Sequence, residues 1–201
     1  MITLYLSGAT LSLASGPAPQ PIITLNAIEY IQQRVLDDSR YITSTHPLHV
    51  FTFAGDAFEL LGACLDDQPF SQRGLSNQRT LAGLELASNG SNYYSNLTNR
   101  EFLATNLRNG MSHVLKPLDP LYVTNEVGLK SSHLQNPGAY FPTNTLLIHA
   151  DCLLDDIQFA LNNLSNNSSI KVNNMTGKTR LQKAQEYTFR TTRFSLKIYL
   201  V

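Results

Sequence analysis

His46 and His49 stand three positions apart, and His149, Asp151 and Cys152 gather farther along, so the chain holds the residue types of a metal site or of a Cys–His nucleophile pair. Neither pattern is complete. Pro47 lies inside the first pair and makes its spacing that of a turn rather than of one helix face, and no third ligand follows at a recognisable distance. The expectation is that His49 starts a strand, that His149 lies near a helix start, and that Cys152 belongs to the core. Cys64 and Cys152 form no CxxC or other paired spacing, which argues against a disulfide framework or a structural zinc site.

Asn174-Met175-Thr176-Gly177-Lys178-Thr179 ends like a phosphate-binding loop, in which backbone amides cradle phosphate and the Lys reaches its outer oxygens. Val172 stands where the first glycine is required, and the residues after Thr179 read as a strand rather than as a helix aiming its N-terminus at phosphate. A plain β-turn is expected there. The acidic pairs Asp37-Asp38, Asp66-Asp67 and Asp155-Asp156 are neighbours in sequence, and adjacent helix residues do not face one another, so none is a ready acid/base pair. No nucleophile elbow, HExxH, EF-hand or dinucleotide fingerprint occurs in the sequence. The expectation is therefore not an enzyme, with no catalytic residue, no cofactor and no metal.

The charge distribution says more than any motif. The 201 residues carry 15 basic and 15 acidic side chains, a net charge of zero that argues against a generic polyanion binder. The zero is not uniform. Residues 171–201 hold Lys171, Lys178, Arg180, Lys183, Arg190, Arg193 and Lys197 against Glu186 alone, about +6, which leaves about −6 on residues 1–170. Tyr187, Phe189, Phe194 and Tyr199 interleave with the cations, a pattern that suits a single-stranded nucleic acid or the acidic body of a second copy. Lys183, Tyr187, Phe189, Arg190, Arg193, Phe194, Lys197 and Tyr199 are accordingly the candidate interaction surface. Nucleic acid is the less favoured partner, because proteins that package a genome by charge carry many more cations on a flexible arm.

These side chains need a frame. Alternation of Ile2, Leu4 and Leu6, then Ser7-Gly8, then Leu11 and Leu13 predicts an N-terminal β-hairpin, with no Lys or Arg to open a signal peptide. Three prolines in Gly16–Pro21 make a stiff connector, and Asn26 with Glu29 then caps a helix carrying Leu25, Ile28, Ile31 and Val35. The run His49–Phe53 predicts a strand, followed by a short helix that Asp56 caps through Glu59 and that buries Phe58, Leu61 and Leu65. Residues 66–94 predict loops around one strand at Leu81–Ala87. Thr98 with Glu101, and Asn109-Gly110 as the stop, predict a helix over Asn99–Arg108. A strand is expected at Leu121–Thr124, and a helix after Asp151 with Leu153, Leu154, Ile157, Leu161 and Leu164 as its buried stripe. Near the C-terminus the apolar phase flips between Arg190 and Arg193, which requires a bulge or a change of partner.

The fold expected from these elements is α+β, a mainly antiparallel sheet with a few short helices and terminal strands available for inter-subunit pairing. Residues 1–170 form an acidic α+β body, and 171–201 a basic C-terminal β-ribbon within the same domain. No run of about 18 apolar residues exists to span a membrane. The function expected is that of a structural, self-assembling subunit such as a capsid, tail or accessory component of a virion or phage particle, localised to that particle or otherwise cytoplasmic. Its partners would be copies of itself and other structural chains. The grounds are proline-pinned extended segments, apolar ends, an Asn/Ser/Thr-rich surface poor in Lys, and the charge division. A nucleic-acid- or polysaccharide-binding module using the C-terminal ribbon is the alternative, and a small Cys/His enzyme the third reading.

Overall fold

The computed structural model describes residues 3–6, 9–12, 22–43, 46–107, 120–138, 141–172 and 177–192. Among them the chain is mainly helical, which overturns the expected antiparallel sheet. Strands occur as three separate two-stranded pairs of four residues each. β1 (Thr3–Leu6) and β2 (Ala9–Ser12) form the predicted N-terminal hairpin, with Leu4 opposite Leu11. β3 (Ile22–Leu25) pairs antiparallel with β6 (Phe189–Thr192), setting Leu25 opposite Phe189. β4 (Leu121–Thr124), where a strand was expected, runs parallel to β5 (Leu146–His149). The Ser7-Gly8 turn, the Gly16–Pro21 connector, the Asn109-Gly110 stop and everything after Thr192 lie outside the described residues.

α1 (Ala27–Tyr30) opens on the capping box read from sequence: Asn26 Oδ1 accepts from the Glu29 amide at 3.1 Å, and Glu29 Oε2 accepts from the Asn26 amide at 2.9 Å. The rod continues as a π-helical stretch, Ile31–Asp37, and then as α2 (Asp38–Ile42). The wider π turn lets Gln32 donate to Asp37 five residues on, at 3.0 Å, while Ile31, Val35 and Leu36 stay buried.

The largest correction concerns α3 (Pro47–Ala63), one 17-residue helix where a strand and a short helix were expected. Pro47 is at its first turn, where a missing amide hydrogen costs nothing. Val50, Phe51, Ala54, Ala57, Phe58 and Leu61 recur in three- and four-residue steps, so the aromatic run is the first part of one helical stripe. Asp56 lies in mid-helix and caps nothing.

α4 (Ser76–Glu85) replaces the strand expected at Leu81–Ala87. Its buried face is Arg79, Thr80, Gly83 and Leu84, too polar to show as an apolar stripe. α3 and α4 meet backbone to backbone. A β-carbon added at Gly62 would lie 1.7 Å from the Arg79 carbonyl oxygen, and one at Gly83 would lie 1.9 Å from the Phe58 carbonyl oxygen. Each helix contributes one glycine to the crossing, and each glycine faces the other helix's main chain.

α5 (Leu97–Thr105) is the expected helix, with its cap moved to Asn96, whose Oδ1 accepts from the Thr98 amide at 2.8 Å. α6 (Ala150–Asn166) follows β5 directly and buries Leu153, Leu154, Ile157, Leu161 and Leu164 as predicted. α7 (Arg180–Glu186) stands where the residues after Thr179 read as a strand. A second capping box starts it: Thr179 Oγ1 accepts from the Gln182 amide at 3.2 Å, and Gln182 Oε1 accepts from the Thr179 amide at 2.9 Å. No described helix is long and apolar enough to cross a membrane.

The glycine crossing generates a direct test. Gly62→Ala and Gly83→Ala should each cost about 3 kcal/mol in denaturant unfolding, because the helices must separate to admit a methyl group. Gly128→Ala, where the added carbon meets open space, should change stability by less than about 0.5 kcal/mol.

Candidate functional site

The predicted interaction residues divide at the surface. Lys183 is fully buried on α7, where its ammonium donates to the Gln68 carbonyl, lies 3.3 Å from Glu186 and sits 4.8 Å from the centre of the Phe70 ring. Tyr187 is half-buried, its ring 5.8 Å from Tyr30 and 5.4 Å from Phe70. Phe189 packs its ring 4.7 Å from Tyr30. Arg190 lies on β6 opposite Thr24. Arg193, Phe194, Lys197 and Tyr199 lie outside the described residues. The three side chains whose contacts are described face α1 and the segment after α3.

That segment, residues 64–75, is drawn inward by a second buried cation. Arg79 is only 3% exposed, and its guanidinium donates to both Asp66 carboxylate oxygens at 2.6 and 3.1 Å. It also donates to the carbonyls of Gln68, Pro69 and Phe70 at 3.3, 3.0 and 3.1 Å. A buried guanidinium is tolerable only when its planar donors are matched in this way. Arg79 and Lys183 thus both hold one loop, meeting at the Gln68 carbonyl, and the loop carries Phe70 up to Tyr187.

Between these elements lies a cleft of about 270 Å³, walled by Tyr30, Phe70 and Tyr187 and edged by Asp56, Glu59 and Arg79. Asp56 and Glu59, three apart on α3, share one side of that helix. Glu59 accepts from the Ser76 hydroxyl. Asp56 has no hydrogen bond or ion pair among the described residues. Partial burial, and then the charge of Glu59, push its carboxyl above the usual range. Partial burial also raises the Tyr30 and Tyr187 hydroxyls, with the Asp56 charge adding to both. Sequence reasoning missed this site, because it treated Asp56 as a cap and could not bring Tyr30, Phe70 and Tyr187 together.

The histidine and cysteine clusters are arranged otherwise. His149 caps α6 by position, is buried, and neither of its ring nitrogens makes a hydrogen bond to Cys152 or to any other group among the described residues. Cys152 Sγ lies 3.8 Å from the Lys130 carbonyl oxygen, and partial burial raises its thiol pKa, which weakens it as a nucleophile. Cys64 is buried, its thiol pushed up to about 12 chiefly by burial. His46 and His49 stack their rings 5.3 Å apart on the outside of α3, and no group of three His, Cys, Asp or Glu suited to a metal forms among the described residues. Lys178 pairs with Glu186 and Thr179 caps α7, so two residues of the phosphate-loop fragment serve the local fold.

One histidine that the sequence did not single out has a fully specified role. His133 Nε2 is 2.9 Å from Asp156 Oδ2, which also accepts from the Tyr94 hydroxyl at 2.5 Å. The His149 backbone amide donates to His133 Nδ1 at 3.0 Å. Nδ1 is therefore the acceptor, the proton sits on Nε2, and neither nitrogen is left to act as a base. The network ties α6 to β5 and to the 3-10 turn at Asn92–Ser95, and it is structural in character.

No family model, curated protein or solved structure matches the chain.

The cleft's electrostatics are testable. A carboxyl held above its unfolded pKa binds protons more readily in the folded state, so ionising Asp56 opposes folding and stability contributed by this group falls as pH rises through that range. Asp56→Asn should raise the melting temperature at neutral pH and leave it unchanged well below the carboxylate range. In NMR titrations, Glu59→Gln should lower the Asp56 pKa.

Proposed function

We propose that the protein is a structural, self-assembling subunit whose copies associate through complementary charge. The observation that carries this reading is the division of a neutral chain into an acidic body and a basic end. Internal pairing absorbs part of the basic segment: Lys178 and Lys183 both turn to Glu186. Lys171 is exposed, and the sequence places Arg190, Arg193 and Lys197 in and beyond β6. On the body, Asp56 makes no ion pair among the described residues. Two large apolar side chains also stand outside the core, Tyr41 at 86% and Val127 at 85% exposure, on segments joined by the bond from Asn125 to the Thr43 carbonyl at 2.9 Å. They are the two most exposed of eight large apolar side chains that stand at the surface among the described residues.

The setting we propose, a virion or phage particle, follows from composition: a surface made by Asn, Ser, Thr and Gln more than by Lys, with proline-pinned extended segments. The nucleic-acid alternative needs Lys183, Tyr187 and Phe189 free to meet phosphates and bases. Their packing against Phe70 and Tyr30 counts against that use, and leaves a charge contact between copies to the basic residues outside this cluster.

Sedimentation at low and high salt tests the proposal. The full chain should form a large oligomer at low ionic strength that dissociates as salt is raised, since exposed ion pairs are screened over about 10 Å at 0.1 M salt. A chain lacking residues 193–201 should remain small under both conditions. A monodisperse monomer at every salt concentration would sink the assembly proposal. Salt-sensitive binding of oligonucleotides by that monomer would favour the nucleic-acid module.

A further inference from the structure

We infer that the cleft between α3, the loop after it and α7 is a receptor for an organic cation, a single ammonium or guanidinium group. Three features of the site converge on this chemistry. The walls are aromatic: Tyr187 meets Tyr30 at an interplanar angle of 62° and Phe70 at 59°, so the rings form a corner rather than a stack. Ring faces carry negative potential and attract cations that are bulky and weakly hydrated. The edge is acidic, with Asp56 and Glu59 on one side of α3 and only Ser76 bonded to either. The cleft's own cation, Arg79, is fully engaged with Asp66 and three carbonyls and adds no counter-charge for Asp56.

The alternatives fit less well. A hard metal ion needs several oxygens closing around it, and no group of three ligating side chains forms among the described residues. An anion would meet two carboxylates. A neutral apolar ligand would leave Asp56 desolvated and unpaired, at added cost. The volume, about 270 Å³, is at the small end for ligand sites, which suits a head group rather than an extended molecule.

The cation has two sources, a free small amine or an Arg or Lys side chain from the basic end of another copy, and both present the same chemistry to the cleft. The inference does not rest on the assembly proposal. The full chain is titrated at constant ionic strength with ethylguanidinium and tetramethylammonium chlorides, with ethylurea as a neutral control, and ring-proton NMR shifts are followed. Both cations should give saturable shifts at Tyr30, Phe70 and Tyr187 with a dissociation constant of about 1 mM, and ethylurea should give none. Asp56→Asn should weaken binding about tenfold and Tyr187→Leu about threefold, while Glu101→Gln, exposed on α5, should leave it unchanged. If Asp56→Asn fails to fold, Glu59→Gln serves the same purpose. Unsaturable shifts, equal shifts with ethylurea, or full affinity in Asp56→Asn would overturn the inference. The source is read from sedimentation in the same solutions. Ethylguanidinium that binds and also dissolves the oligomer identifies a side chain of a second copy, whereas saturable binding by a chain that never assembles identifies a free amine and removes only the assembly proposal.

Discussion

The close approach of α3 and α4 sets the geometry of everything around it. With Gly62 and Gly83 each facing the other helix's carbonyls, the two main chains touch where most helix pairs are separated by side chains. The segment joining them must therefore turn back in a short space, with its own carbonyls directed inward. Such carbonyls need donors, and Arg79 and Lys183 supply them, both reaching the Gln68 carbonyl. The loop so held carries Phe70 against Tyr187, and the aromatic cleft exists only because that loop is fixed. Separation of the two helices would release the loop and open the cleft together.

Two carboxylates of the fold are placed in opposite ways. Tyr94, Asp156 and His133 satisfy one another, and the His149 amide completes the set, so their burial carries little penalty and holds three segments in register. Leu134 beside them has a left-handed φ of 60°, held by its amide's 2.8 Å bond to the Leu147 carbonyl. Asp56 is the opposite case. Partial burial and then the charge of Glu59, three residues on, raise its carboxyl, and among the described residues no hydrogen bond or ion pair holds it. Asp156 is half-buried and bonded on both sides, whereas Asp56 is exposed at the edge of a cleft with no bonded partner among the described residues.

The basic end of the chain changes character once it is seen in three dimensions. As a string it is a ribbon of alternating cations and rings. In the structure it includes a helix, α7, whose buried face is Lys183 and Ala184, so one of the cations read as an interaction residue is enclosed. Glu186, the single acid there, draws in both Lys178 and Lys183, and its hydrogen bond to Lys178 leads the effects that hold its carboxyl below the usual range. The charge available for a partner accordingly moves toward β6 and the residues beyond it.

Local rules were legible wherever one residue acted on its immediate neighbours. The Asn26–Glu29 capping box, the β1–β2 hairpin, the strand at Leu121–Thr124 and the leucine stripe of α6 could be read directly, because capping, alternation and helical period are short-range and sequence-encoded. The Thr179–Gln182 box was readable too and was obscured by the β-like composition after it. What tertiary structure decided is the identity of α3 and α4. His49–Phe53 has strand-like side chains, but burial of Val50 and Phe51 in register with Ala54, Ala57, Phe58 and Leu61 makes it the start of a long helix. α4 buries an arginine, a threonine and a glycine, and no apolar period could mark those. The cleft belongs wholly to this second class: Tyr30, Asp56, Phe70 and Tyr187 come from four separate segments. Only the backbone contact at Gly62 and Gly83, and the two buried cations that follow from it, bring them to one place.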